Sequence, residues 1–280
     1  METIIGLGSA GCKIAKCFDS YSNYDIYCLD TERQKGFKTK KITERKSHEE
    51  YEQKCPPLKT FFKDAKPPYL FILAGSGMIT GMALRVMQQL KSTDISVLYI
   101  KPDTDLLSEK AQKRERVVFH VLQQYARSAL LENMFVFSNV MLEKILQDLP
   151  IIGYYDKINE MMCTTIHMLN VFNNTDAIMS TSLETPSTAR ISTLGLVDAA
   201  SGEENFFYEL KNPRDKKYYF SIQKEQLEKD GALFREIITQ IKERSLKDVK
   251  ISYSIYSNNY EHNYGYVLAN ASLIQEEIIK

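Results

Sequence analysis

The stretch Thr3–Asp30, TIIGLGSAGCKIAKCFDSYSNYDIYCLD, combines a strand, a glycine turn, a helix and a second strand. β-Branched residues lead into the turn Gly6–Gly11, apolar residues then recur at helical spacing, and a second apolar run ends in the carboxylate of Asp30. Glycine lets the backbone approach a phosphate closely, and a helix N-terminus offers free N–H groups and a positive dipole. The stretch therefore predicts a βαβ unit that holds a nucleotide.

The composition argues against several classes of protein. The chain has 280 residues with 36 Lys+Arg and 36 Asp+Glu, so net charge directs it neither to nucleic acid nor to a membrane surface. No apolar run approaches the roughly 18 residues that would span a bilayer, and the N-terminus carries no basic leader. We therefore expect a cytoplasmic protein with no direct nucleic-acid partner and no membrane span.

The cysteines do not form a metal-ligand pattern. Five cysteines are scattered through predicted helices and strands, and none is part of a C-x₂-C pair. Such cysteines are typical of buried free thiols in a reducing cytoplasm, so we expect no metal site built from side chains.

Strands and helices alternate through the first half of the chain, which indicates a parallel sheet wrapped by helices. Apolar positions from Tyr155 to Asn173 recur at the spacing of one long buried helix. After it, segments at 206–208, 217–222, 249–256 and 264–269 alternate as half-buried strands, with a helix at about 233–243. We predict a nucleotide-binding domain over residues 1–175, with its central helix at about 155–173, and an α+β domain over residues 176–280.

A second glycine turn follows another apolar strand. Tyr69–Leu73 leads into Ala74–Gly81, AGSGMITG, and then into an amphipathic helix. The three glycines of the first turn fit G-x-G-x-x-G, and Asp30 lies at the distance that would bind a ribose 2′-hydroxyl, so a dinucleotide is one hypothesis. Two helix N-termini aimed at one site fit a polyphosphate better than a single pyrophosphate.

The order of these motifs resembles the tubulin and FtsZ superfamily of GTP-binding filament proteins. Gly6–Gly11 is similar to the family's first glycine loop, and Ala74–Gly81 to its signature A-G-x-G-G-G-T-G, with Met78 and Ile79 in place of two glycines. Two further strand ends resemble those of the family: Lys101-Pro102 and Ser138-Asn139. The resemblance implies an α/β fold with an N-terminal Rossmann-like parallel-sheet GTPase domain, a long central helix and a smaller C-terminal α+β domain.

The same resemblance implies which residues bind the nucleotide. In the family, an aromatic ring at the start of the long helix stacks on guanine, and an asparagine four residues later reads the base edge; Tyr155 and Asn159 match these positions. A ring supplies stacking area, and an amide offers both a donor and an acceptor. The residues implied to bind GTP or GDP, with Mg²⁺ accompanying the nucleotide, are Gly6, Gly8, Ser9, Gly11, Asp30, Gly75, Ser76, Gly77, Thr80, Gly81, Glu109, Asn139, Tyr155 and Asn159.

Hydrolysis in this family depends on an acidic loop that the next subunit of the filament inserts to position the attacking water. Ungapped counting from Tyr155 puts Glu184 at the second acid of the loop pattern N-x-D-x-x-D, which makes it the candidate catalytic residue. A gapped alignment instead places Arg190 there and leaves no acid, and Asp198 is a remote fallback. Binding is therefore better supported than hydrolysis.

The resemblance implies a GTP-binding protein that assembles into filaments for intracellular positioning, segregation or scaffolding, with weak or lost GTP hydrolysis. Its partners would be further copies of the chain, joined head to tail, and an adaptor or cargo protein. Two alternatives stay open. One is an NAD(P)- or FAD-dependent Rossmann enzyme, and the other is a nucleotide-free assembly module, which follows if Met78 and Ile79 close the pocket.

Overall fold

A computed structural model describes residues 3–32, 37–90, 92–181, 188–199, 201–243 and 248–275. In chain order the strands and α-helices are β1 (Thr3–Leu7), α1 (Gly8–Cys17), β2 (Asp25–Asp30), β3 (Lys38–Lys41), α2 (His48–Gln53), β4 (Tyr69–Ala74), α3 (Ala83–Gln89), β5 (Ile95–Lys101), α4 (Glu109–Arg127), β6 (Asn133–Ser138), α5 (Asn139–Leu146), α6 (Tyr154–Asn173), β7 (Met179–Ser180), β8 (Ile191–Val197), β9 (Glu204–Phe206), β10 (Asp215–Gln223), α7 (Lys224–Lys229), α8 (Leu233–Glu243), β11 (Lys250–Asn258) and β12 (Tyr264–Ala271). A 3₁₀ helix, Met78–Met82, precedes α3.

The first half of the chain forms a parallel sheet with the strand order β3-β2-β1-β4-β5-β6. Its central strands are buried on both faces, which is why they read as continuous apolar runs rather than alternating ones. In β1, for example, Ile4 packs into the core on one face and Ile5 into the core on the other. All six strands end at the same edge of the sheet, called here the carboxyl edge; the opposite edge is the amino edge.

The second half of the chain extends the same sheet. β8 pairs in parallel with β6 through residues 191–192 and 134–135, and β12, β10, β11 and β7 follow in that order. β10 and β11 are parallel, whereas β12 is antiparallel to both β8 and β10. The structure confirms the predicted α/β fold, and the boundary at residue 175 stays a prediction because the sheet continues across it.

The long helix α6 begins one residue before the predicted start and extends from one edge of the parallel sheet to the other. His167 on α6 stacks on Tyr21 with ring centroids 3.6 Å apart and shares a 2.9 Å hydrogen bond with the hydroxyl of Tyr24. Both tyrosines precede the first residue of β2, so they lie at the amino edge. The helix therefore runs from the carboxyl edge, where it begins, to the amino edge.

Hydrophobic patterning alone does not predict β3, α5 or β8. β3 is Lys38–Lys41, a lysine-rich strand at the outer edge of the sheet, where charge protects an unpaired edge. β9 ends at Phe206 instead of covering 206–208, because Phe207 turns inward and packs on Phe137 with ring centroids 5.0 Å apart. None of the described helices is long and apolar enough to cross a membrane.

Candidate nucleotide site at the carboxyl edge

The first glycine turn brings the bare N-terminus of α1 to the carboxyl edge. Gly8 has φ +72°, a conformation that side chains disfavour, and a Cβ on Gly11 would overlap the carbonyl oxygen of Ile72 on β4. α1 has no capping side chain and no acidic residue in its first turn. Its first N–H groups therefore lack a side-chain partner, and such a terminus attracts an anion.

Asp30, the last residue of β2, hydrogen-bonds to this turn. Its side chain is 2% exposed, and the carboxylate accepts hydrogen bonds from the Ser9 hydroxyl at 3.1 Å and from the Thr31 amide at 2.8 Å. One bond goes to each carboxylate oxygen. These two hydrogen bonds hold the first glycine turn in position, and binding of a ribose hydroxyl by Asp30 stays a prediction.

The second glycine turn lies beside the first and is held by buried polar groups. Thr80 is 4% exposed, and its hydroxyl donates to the carbonyl of Gly77 at 2.6 Å. His48 Nε2 lies 3.3 Å from Thr80 Oγ1. A Cβ on Gly81 would overlap the backbone of His48, so the start of α2 packs directly on this turn. Burial lowers the pKa of His48 below its ordinary value of 6.5.

Met78 and Ile79, which replace two signature glycines, both pack against the core. Ile79 is 8% exposed and belongs to the core cluster that contains Leu7 and Leu73, and Met78 is half-buried against the same cluster. Ile79 also lies next to the first turn, since a Cβ on Gly8 would be 2.9 Å from Ile79 Cγ2. Because these side chains point largely into the protein, the outer surface of the turn is formed mainly by backbone and by the exposed Gly77.

A buried ion pair on α4 and β5 supports the second turn from below. Glu115 is fully buried, and its Oε1 accepts hydrogen bonds from the Tyr99 hydroxyl at 2.8 Å and from Lys101 Nζ at 3.0 Å. Gly75 packs on that same Tyr99 hydroxyl. Arg114 adds a further contact to the turn, because its Nε donates to the backbone carbonyl of Ser76 at 3.2 Å. The charged pair therefore fixes the position of the turn although both of its members lie outside the turn itself.

A cavity of about 410 Å³ opens where α6 begins, beside α1. It is lined by Lys13, Ile151, Gly153, Tyr154, Tyr155 and Asp156. Tyr155 is 56% exposed, which leaves one ring available for stacking. Tyr154 is instead half-buried, and burial together with a hydrogen bond to Glu143 raises its pKa to about 12.

Asn159 lies one helical turn below Tyr155 and is 7% exposed. Its side-chain amide has no hydrogen-bond partner among the residues that the structure describes. Its polar atoms are not among the fully buried side-chain atoms that lack a partner, so the amide keeps some contact with solvent and is open to a ligand edge that offers a donor and an acceptor. This observation fits a base-reading role.

The remaining predicted residues lie at two helix starts. Asn139 is half-buried and begins α5, which has no capping side chain and no acid in its first turn. Glu109 is exposed in the first turn of α4, where a carboxylate is favoured by the helix dipole. Both helices begin after strands that end at the carboxyl edge, so both residues face the side of the sheet that carries the glycine turns.

The candidate catalytic Glu184 lies outside the described residues. Arg190, its counterpart in the gapped alignment, is held by the backbone carbonyls of Leu131 and Glu132 at 3.2 and 2.9 Å. Asp198 follows the last residue of β8, and its carboxylate accepts the backbone N–H of Ser201 at 2.5 Å. Asp198 therefore closes a local turn after β8.

Sequence reasoning missed His48, Arg114 and Glu115 as contributors to the site. The signal for Glu115 was weak but present, because a Lys at the end of a mostly apolar, fully buried strand needs a buried partner. His48 and Arg114 touch the second turn across 32 and 38 residues of chain, and no local pattern marks such contacts.

Comparisons with known proteins concern the fold of the chain. No sequence model of a known protein family matches the chain, and no curated protein matches it by sequence. FtsZ from M. jannaschii superposes with a TM-score of 0.69 at 13% identity, covering 96% of this chain and 87% of that chain.

TubZ of Bacillus thuringiensis serovar israelensis, solved as a GTPγS-form protofilament, superposes with a TM-score of 0.70 at 14% identity over 95% of this chain and 86% of that chain. A TubZ described as a type III plasmid segregation protein gives 0.65 at 15% identity over 98% and 88%. At these identities the likeness shows the fold, and nearly the whole chain shares it: the protein has the tubulin/FtsZ fold.

Proposed function

We propose that the protein binds a guanine nucleotide at the carboxyl edge and assembles head to tail into filaments. The observation that carries the proposal is the convergence of two glycine turns and two bare helix N-termini, those of α1 and α5, at one edge of the sheet. The exposed ring of Tyr155 and the unpartnered amide of Asn159 add a place for a base on the same side.

The residues present fit a nucleotide with its metal ion. The phosphates would meet the backbone of Gly8, Ser9 and residues 75–81, and neither α1 nor the 3₁₀ helix Met78–Met82 has an acidic residue in its first turn. Mg²⁺ would accompany the phosphates and neutralise their charge. We expect an affinity at micromolar level or tighter, which corresponds to about −8 kcal/mol.

The most direct test is to identify the nucleotide that copurifies with the protein. Heat-released ligand that elutes as GDP or GTP supports the proposal, and calorimetry with GTP and with NAD⁺ then measures each affinity. Release of NAD(P) or FAD, or calorimetric binding of NAD⁺ with no binding of GTP, would overturn it.

The dinucleotide alternative is less well supported than GTP. In that hypothesis the carboxylate of Asp30 would bond to a ribose hydroxyl, yet it is 2% exposed and already accepts bonds from Ser9 and Thr31. A dinucleotide also leaves the second glycine turn and its buried support around Glu115 without a purpose.

A nucleotide-free assembly module of the same fold is the second candidate, and one contact favours it. Ile79 Cγ2 lies directly beside Gly8, so an aliphatic side chain occupies space between the two glycine turns that a glycine at position 79 would leave open. The absence of any copurified nucleotide, together with filaments that form without added GTP, would support this candidate instead.

Assembly would follow from the geometry of a heterologous contact. When one face of a copy binds a different face of the next copy, each end of the assembly keeps one unused face. If the rotation between successive copies does not close into a ring, the result is an open polymer. Such a filament suits intracellular positioning, segregation or scaffolding in the cytoplasm, with an adaptor or cargo protein bound to it. Light scattering and electron microscopy with GTP over a range of protein concentrations test assembly.

Hydrolysis, if retained, would be weak and would need a neighbouring subunit. Glu184 is the acid that could orient water at the nucleotide of the next copy, and loss of such an acid costs on the order of 10²–10⁴ in rate. Neither Arg190 nor Asp198 offers a substitute, because each is held in a local structural contact. Turnover that rises with protein concentration is the expected signature.

A further inference from the structure

Two neighbouring aliphatic side chains project from the carboxyl edge almost fully into solvent. Ile151 is 95% exposed and Ile152 is 92% exposed, immediately before α6. The loop that presents them includes Gln147 and Asp148, both with positive φ, at 43° and 44°. Single exposed aliphatic side chains are common on proteins, but an adjacent pair on a strained loop indicates a surface that another molecule covers. We call this pair the isoleucine knob.

A pocket of about 770 Å³ lies at the other end of the molecule. Its lining includes the apolar side chains of Leu210, Pro213, Val249 and Leu273. Arg214 belongs to the rim, and Lys250 lines an adjoining pocket of about 600 Å³. The volume and mixed lining are those of a site that accepts a few side chains. We call it the amino-edge pocket.

The sheet register puts the knob and the pocket at opposite ends of the chain. The pocket surrounds the first residues of β10 and β11 and the last residue of β12, which are paired near the end where β8 begins. The knob precedes α6 at the carboxyl edge, and a helix of 20 residues spans about 30 Å. The knob therefore cannot reach the pocket of its own chain.

We propose that the isoleucine knob of one copy inserts into the amino-edge pocket of a second copy. The proposal rests on the head-to-tail assembly proposed above and specifies its contact. The charges favour a second copy as the occupant, because Asp148 and Asp156 flank the knob while Arg214 and Lys250 border the pocket. Lys13 near the knob and Asp248 near the pocket carry the opposite signs and form a second complementary set.

The experiment uses one knob variant and one pocket variant of the full chain. Ile152→Asp changes the knob without touching the lining of the base cavity, and Leu273→Asp changes the pocket at a residue that is 51% exposed. Val117→Asp, at a 57% exposed position on α4, is the matched control. Each single variant should raise the critical concentration for assembly by about tenfold or more, while the control assembles like wild type.

Mixing the two variants gives the decisive result. Ile152→Asp keeps an intact pocket and Leu273→Asp keeps an intact knob, so an equimolar mixture should form heterodimers that cannot grow. Sedimentation velocity should therefore show monomers for each variant alone and dimers for the mixture. If neither variant changes sedimentation while wild-type chain assembles, the knob contact is wrong and the filament proposal stands.

A cross-link gives an independent readout of the same contact. A chain with Cys17 and Cys55 changed to Ser and with Ile152→Cys and Leu273→Cys should form a ladder of multimers with a bismaleimide. The chains with one introduced cysteine should not form a ladder. A wild-type chain that stays monomeric with GTP contradicts both proposals, and dimers from the Ile152→Cys chain alone would point to a knob-to-knob contact and overturn this one.

Discussion

The hydroxyl of Tyr99 occupies the space into which a side chain on Gly75 would project. That hydroxyl is held by Glu115 Oε1 at 2.8 Å, and Glu115 also pairs with Lys101. The second glycine turn therefore sits on a rigid, buried polar support, and its position depends on a helix that begins more than 30 residues later in the chain.

Gly75→Ala should destabilise the protein because its methyl group would overlap the fixed Tyr99 ring and hydroxyl. Overpacking of this kind costs roughly 1–3 kcal/mol, and each kcal/mol lowers Tm by about 2–4 °C in a chain of this size. Gly77→Ala is the matched control, since a Cβ there would have its nearest neighbours at 3.9 and 4.0 Å and the backbone φ is −71°. Thermal unfolding should show a lower Tm for Gly75→Ala only. Equal Tm values for the two variants would mean that the Tyr99 side chain moves to make room for the methyl group.

Asn159→Asp should reduce the preference for guanine. A carboxylate cannot donate the hydrogen bond that an amide offers, and one missing bond to a buried group costs about 1–3 kcal/mol. The affinity for GTP should therefore fall by roughly 5- to 150-fold, measured by calorimetry against XTP as a comparison.

The control for that measurement is Asn173→Asp, the same substitution on an exposed residue at the far end of α6. It should bind GTP like wild type. An Asn159→Asp variant that also keeps wild-type affinity would remove Asn159 from the base site.

Glu184→Ala should abolish any GTP turnover while nucleotide binding and assembly persist. In wild type, the rate per subunit should rise with protein concentration, because the acid comes from a neighbouring copy. Asp198→Ala should leave this concentration dependence unchanged, since the Asp198 carboxylate is already used to close a local turn after β8. Phosphate release measured over a range of subunit concentrations tests both variants, and turnover that ignores concentration would contradict an acid supplied in trans.

His48 should make the protein less stable in mild acid. Burial lowers its pKa below 6.5 in the folded state, so the unfolded chain binds a proton more readily. Stability is therefore complete above the unfolded pKa and falls as the pH drops through about 6.5 and below.

His48→Gln can still donate a hydrogen bond to Thr80 but cannot take up a proton in this range. The difference in Tm between pH 7 and pH 5 should be smaller for this variant than for wild type. Glu49, Glu52 and Arg114 also face the imidazole and remain in both proteins, so they cancel in the comparison. If Tm depends on pH equally in the two proteins, titratable groups other than His48 cause the loss of stability in acid.

Local sequence determined the two glycine turns, the helices that follow them and the parallel sheet of the first half. These features depend on residues within one strand–turn–helix unit, where spacing and conformational freedom decide the structure. The tubulin/FtsZ fold could be expected from the order of such units, and the solved structures agree with that expectation.

Only the tertiary structure decided how the site residues are used. It assigned the carboxylate of Asp30 to Ser9 and Thr31, turned Ile79 into the core, and held Arg190 on the backbone before β6. It also brought Arg114 to Ser76 across 38 residues. Such contacts join segments that are distant in sequence, and they are fixed by how helices pack on the completed sheet rather than by any local propensity.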